Sequence, residues 1–159
     1  MSILAAHDIN GALLDALSAS DTGWPNVFAG VLCVDPLRPT AQLIQRLKDA
    51  GVAGAINFPS VSFIDGEAGA VFDRLSLGID REINFLRACA VEGLRVGGVT
   101  RSVEAAQKLL DISVDFLLAH GGAPTRDNSD PSKAAATQIT AVATSLNVPV
   151  IPLSRVLTS

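Results

Sequence analysis

Val27-Phe-Ala-Gly-Val-Leu-Cys-Val34 runs without a polar side chain and stops abruptly at Asp35-Pro36. A strand with one wet face alternates apolar and polar residues. A run this continuous belongs to a strand covered on both faces, which points to a parallel sheet. The next apolar run has the same grammar. Gly51 stops a helix, Val52 to Asn57 forms a short strand, and polarity returns before Pro59. Such a unit delivers side chains to a site at the strand's carboxyl end.

The rest of the chain repeats the unit. Ile9, Leu13, Leu14 and Leu17 mark a helix over 8–18, with Asp8 as its N-cap. A turn-rich connection through Trp24 and Pro25 leads to the first strand. Thr40 is expected to cap a helix to Ala50 with Leu43, Ile44 and Leu47 inward, closed by Gly51. Residues 59–77 are irregular, with a short helix near 69–75; connections of this length often serve as lids. Asp80 is expected to cap a helix carrying Ile83, Leu86, Arg87 and Ala90 at helical spacing, closed by Gly93. Further strands follow at 94–100, 114–120 and 148–153. A helix capped by Ser102 and another opened by Asp130-Pro131 separate them. Pro149 and Pro152 place the last strand at a sheet edge, because proline cannot donate to the ladder. The alternation predicts an α/β fold: a parallel sheet of about five strands alternating with helices, in one domain of 159 residues. Residues 1–25 are expected to form its N-terminal helix and connection, and 26–159 the alternating strands and helices.

Composition excludes several roles. The core must be aliphatic, since aromatics are 4% and there is no Tyr. The net charge of -4 and the lack of a basic run argue against nucleic acid. No stretch is apolar over the ~20 residues that span a bilayer, and no basic segment followed by an apolar run opens the chain. A soluble, cytoplasmic protein is expected. Cys33 and Cys89 sit among apolar neighbours and read as small buried hydrophobes. Lys48, Lys108 and Lys133 fall in or at the start of helices, away from strand ends, which disfavours Schiff-base chemistry. Neither phosphate-binding glycine fingerprint is present, so no nucleotide cofactor is expected.

The strand ends carry Asp35, Asn57, Thr100, His120 with Gly121 and Gly122, and Ser154. His120 can act as general acid or base, or hold an anion, while the two glycines admit a ligand to the backbone. It reads equally as a capping or core histidine. Asp35 is either a Mg²⁺ ligand or an Asp-Pro turn, and Asp65 either a second metal ligand or an Asp-Gly turn. Asn57 is expected to orient substrate, and Arg126 to clamp an anion from a closing loop. Glu82, in the first turn of its helix, is expected to complement the helix dipole.

Ala29-Gly-Val-Leu-Cys-Val-Asp-Pro36, Gly54-Ala-Ile-Asn-Phe-Pro-Ser-Val61, Ile64-Asp-Gly66, Gly78 with Glu82, and Asp115-Phe-Leu-Leu-Ala-His-Gly121 together resemble the TIM-barrel phosphoenolpyruvate hydrolase-like family. The same domain ends a plant virus-resistance protein. The resemblance covers roughly 27–153 and implies an incomplete (β/α)₈ barrel, matching strands three to seven. It implies a small carboxylate or phosphorylated oxoacid substrate, hydrolysis or carbon–carbon cleavage, and assistance by Mg²⁺, as in isocitrate lyase relatives. The family's final His-Gly-Gly is replaced here by Leu153-Ser154-Arg155. Two readings follow: an enzyme on such a substrate, or a non-catalytic binding or regulatory module on a truncated barrel. An open sheet of this kind has two edges to cover. A homo-oligomer or the N-terminal helix is expected to cover them.

Overall fold

The computed structural model describes residues 8–64, 66–119 and 131–152, without the side chains of 131–133. In chain order the elements are α1 (Ile9–Leu17), β1 (Phe28–Val31), α2 (Thr40–Asp49), β2 (Gly54–Asn57), a 3₁₀ turn (Val61–Phe63), α3 (Gly66–Arg74), α4 (Ile79–Val91), β3 (Arg95–Thr100), α5 (Val103–Leu110), β4 (Phe116–Ala119), α6 (Pro131–Ser145) and β5 (Val150–Pro152). The five strands are parallel and lie in sequence order, β1-β2-β3-β4-β5. Each crossover therefore steps to the neighbouring strand in the same direction, as in a (β/α)₈ barrel and unlike a doubly wound sheet. The fold is α/β and matches an incomplete barrel.

Alternation along the strands separates two faces. Ala29, Val31, Ala55, Val96, Leu117 and Ala119 point into the main core. There they meet Leu43 and Leu47 of α2, Leu86 of α4, Leu109 of α5 and Ile139 of α6. Ile56, Val99, Phe116 and Leu118 point to the opposite face, where Phe63 joins them. This second face corresponds to the inside of a barrel.

Two glycines set the shape of that face. Phe28 on β1 and Phe116 on β4 meet edge to face, with ring centroids 4.9 Å apart, although β2 and β3 lie between their strands. Their rings lie across the sheet because Gly54 and Gly97 leave room beneath them. A Cβ on Gly54 would stand 2.6 Å from Phe28 Cε1 and one on Gly97 2.4 Å from Phe116 Cζ. Arg95 covers the outer side of the pair, its guanidinium 5.2 Å from the Phe28 centroid.

Several boundaries differ from the sequence expectation. β1 ends at Val31, short of Val34, because its ladder with β2 closes at Val31↔Asn57. Beyond it, the Leu32 backbone bonds to a side chain instead of a strand: Asn10 Nδ2 donates to Leu32 O at 2.9 Å, and Leu32 N donates to Asn10 Oδ1 at 3.0 Å. One face of α1 thus covers the β1 edge. α2 begins after Pro39, with Thr40 inside its first turn. α4 begins after Gly78, two residues before the expected cap at Asp80. Its inward stripe is Glu82, Ile83, Phe85, Leu86 and Cys89, while Arg87 and Ala90 are exposed. Gly51 and Gly93 do stop their helices, at φ +66° and +86°. β5 lies at the sheet edge beside β4, the position its prolines led one to expect.

Gly97→Ala should cost about 1–3 kcal/mol in urea unfolding, the usual range for an overpacked site. Adding Phe116→Leu should recover part of that loss, since residues in contact couple. Strictly additive losses would show that the Phe116 ring is not what the glycine makes room for.

Candidate functional site at the carboxyl ends of the strands

β2 delivers Asn57 to the top of the sheet, where it is fully buried. Its amide continues the β2–β3 ladder: Oδ1 accepts from Val99 N at 2.6 Å, and Nδ2 donates to Val99 O at 3.0 Å. Nδ2 also donates to Glu82 Oε2 at 2.7 Å and lies 3.3 Å from Ser60 Oγ. Ser60 Oγ donates to Glu82 Oε2 at 2.7 Å, and Val61 N donates to Glu82 Oε1 at 2.7 Å. The chain passes from Asn57 to Ser60 through a cis Phe58–Pro59 bond. One carboxylate from α4 therefore gathers the end of β2 and the start of the 3₁₀ turn.

Glu82 stands in the first turn of α4 as expected. Its burial and its network were not foreseen: it has no solvent exposure at all. The signal was present, because Glu82 stands three, four and seven residues before Phe85, Leu86 and Cys89, on the buried stripe of α4. Burial pushes its carboxyl above the ordinary value of 4.5, and the bonds from Asn57, Val61 and Ser60 pull it back. Cys33 and Cys89 are free, buried thiols. Burial holds both up, Cys89 at about 12.

Asp35, beyond β1, is committed within the protein. Oδ1 accepts from Leu37 N at 2.7 Å, and Oδ2 accepts from Asn10 Nδ2 at 2.8 Å and Arg38 Nη1 at 3.1 Å. Arg38 also pairs with Asp8, and its hydrogen bond holds the Asp8 carboxyl at about 2. Mg²⁺ takes several oxygen ligands in near-octahedral geometry. A carboxylate facing a guanidinium does not fit that role. Among the described residues no three His, Cys, Asp or Glu side chains converge as a metal set. Thr100 is buried, and its Oγ1 lies 3.2 Å from both the N and the O of Ser102. The structure thus brings Asn57 to Glu82 and Ser60, and places Asp35 and Thr100 in separate networks. Asp65, His120, Gly121, Gly122, Arg126 and Ser154 lie outside the described residues.

Beside the Glu82 network lies a cavity of about 150 Å³. Ser62, Val61, Ile64, Phe72, Ile79 and Ala105 are among its lining residues. Among the described residues, no helix is long and apolar enough to cross a membrane.

A parallel sheet in sequence order, with polar networks at its carboxyl ends, is the architecture of barrel-type proteins. The chain belongs to the phosphoenolpyruvate hydrolase-like family, whose model matches residues 8–149. It is 36% identical over 117 residues to the uncharacterized protein y4oT of Sinorhizobium fredii, covering 74% of this chain and 60% of that protein. It is 30% identical over 118 residues to the putative transcriptional regulatory protein y4pA of the same organism, covering 73% of this chain and 19% of that one. The tomato (Solanum lycopersicum) ToMV resistance protein Tm-1(GCR237) is 27% identical over 99 residues, covering 62% of this chain and 13% of its own length. The chain thus spans 60% or less of these relatives.

The raised Glu82 carboxyl has a stability consequence. A carboxyl whose folded-state value lies above its unfolded one favours folding most fully below the unfolded value, near 4.5. That contribution is lost as pH rises through the folded value. Relative to Glu82→Gln, wild-type stability from urea unfolding should therefore fall as pH increases from 4.5 upward. A difference that grows with pH across that window would contradict the raised value.

Proposed function

We propose that the chain is an enzyme acting on a small oxoacid or phosphoenolpyruvate-like substrate, by hydrolysis or carbon–carbon cleavage, at the carboxyl ends of its strands. The observation that carries this reading is the Glu82–Asn57–Ser60 network, which fixes the loop after β2 beside the strand ends. Site residues held by such supporting bonds keep the geometry that catalysis needs. In this reading His120, which directly follows β4 in sequence, transfers the proton. Thr100, Gly121, Gly122, Arg126 and Ser154 bind the substrate, with Arg126 pairing its anionic group. Asn57 holds the loop and not the substrate, since its amide is fully engaged with the protein. Mg²⁺ belongs to the reading as a requirement to be tested by chelation, with no role for Asp35. The edge at β5, whose Ile151 and Pro152 are exposed, supports a homo-oligomer, and the protein is read as cytoplasmic.

A second reading, a non-catalytic small-molecule-binding or regulatory module, draws on two facts. The described strand-end side chains Asn57, Asp35 and Thr100 are each engaged by other groups of the protein, and one relative is a putative transcriptional regulatory protein. A panel of phosphoenolpyruvate and small oxoacids, assayed for turnover with and without chelator, separates the two. The enzyme reading expects turnover that falls on the order of 100-fold or more in His120→Ala. Ligand-dependent stabilisation without turnover would replace it with the module.

A further inference from the structure

Ser62 stands at the outer end of a hydrogen-bonded chain. Its Oγ lies 2.8 Å from Ser60 Oγ, which in turn lies 2.7 Å from Glu82 Oε2. The direction of the chain follows from counting hydrogens. Ser60 Oγ receives Ser62 N at 3.1 Å and faces Asn57 Nδ2. Its single O–H is spent on Glu82. Between the two hydroxyls, Ser62 must then be the donor. Ionised Glu82 thus leaves Ser62 presenting lone pairs to its surroundings. A protonated Glu82 would donate to Ser60, turn both hydroxyls round, and leave Ser62 presenting a proton. A chain with these two polarities is a proton relay.

The relay opens on a space of its own. Ser62 is half-buried and lines the cavity of about 150 Å³ whose wall is largely Val61, Ile64, Phe72, Ile79 and Ala105. Asp73 is the charged residue among its described lining, which disfavours an anion there. We propose that Ser62 is a nucleophilic serine whose proton passes through Ser60 to Glu82, and that its cavity receives a small uncharged acyl or sulfonyl group. When Ser62 Oγ bonds to the electrophilic atom, its O–H bond breaks and that proton goes to Ser60. The Ser60 proton goes to Glu82, and the electrophile's leaving group departs. The arrangement is a nucleophile, a relay and a base. Burial of Glu82 favours the protonated product of that transfer. Cys33 faces Glu82 as a buried neutral thiol, and no cation appears among the causes of the Glu82 shift. This site shares Ser60 and Glu82 with the network behind the oxoacid reading, but it uses neither His120 nor Arg126 and selects against anions, so sulfonylation of Ser62 and oxoacid turnover fail separately.

The test is methanesulfonyl fluoride on the full chain, with the adduct located by peptide mass mapping. Sulfonylation should fall on Ser62, with fluoride released, and Ser62→Ala should lose it. The labelling rate should rise with pH through one ionisation above the ordinary glutamate value of 4.5 and then level off. Glu82→Gln, checked for native circular dichroism, should abolish that step and slow labelling on the order of 100-fold. No adduct at Ser62, or a rate simply proportional to hydroxide, would overturn the proposal. So would equal labelling in folded Glu82→Gln. If that variant does not fold, the wild-type pH profile decides alone.

Discussion

The top of the sheet depends on one side chain making two kinds of bond. With its oxygen and one hydrogen, the Asn57 amide behaves as a further peptide unit for β3, pairing with both backbone groups of Val99. With the other it reaches Glu82. The first contact fixes β2 against β3 just where their regular ladder ends at Ile56↔Gly97. The second ties that corner to α4 and, through Ser60 and Val61, to the following turn. A buried carboxylate is costly when it lacks partners. Three short bonds to Glu82 meet that need, and they place strand, loop and helix in one arrangement. Its position on the inward stripe of α4 anchors the network in the same core that holds the sheet.

The opposite end of the sheet is organised by absence of side chains. Gly54 and Gly97 permit Phe28 and Phe116 to approach across two intervening strands. Aromatic pairs prefer this edge-to-face contact. The rings close the amino-terminal end of the inward face, while Ile56, Val99 and Leu118 line it higher up. A chain poor in aromatics therefore spends two of its six Phe residues on this one contact across the sheet.

Much of the architecture was legible because it rests on local chemistry. Gly51 and Gly93 adopt positive φ where helices must stop, and Pro149 and Pro152 mark the edge. The continuous apolar run at β1 announced a strand with both faces covered. What could not be read were the long-range polar pairings. Asp35 looked like a free strand-end carboxylate until Arg38 and Asn10 were seen to fill it. Glu82 in a first helical turn was read for the dipole alone, because that argument uses position along the axis and ignores position around it. Asn57 was correctly singled out as a strand-end residue, but its partners lie 25 and 42 residues away. No local pattern encodes such distances.

Asn10 makes the same kind of bond at the other side of the sheet. It meets Leu32 across 22 residues with a donor and an acceptor spaced like those of a peptide. A parallel edge is ordinarily a template on which any extended chain can grow. Here one side chain occupies the rung just beyond β1, and the helix that carries it packs beside that strand. Growth of the sheet on this side is thereby terminated from within the chain. The consequence is directional: any further addition to the sheet must come at β5, whose described outer residues, Ile151 and Pro152, stand exposed.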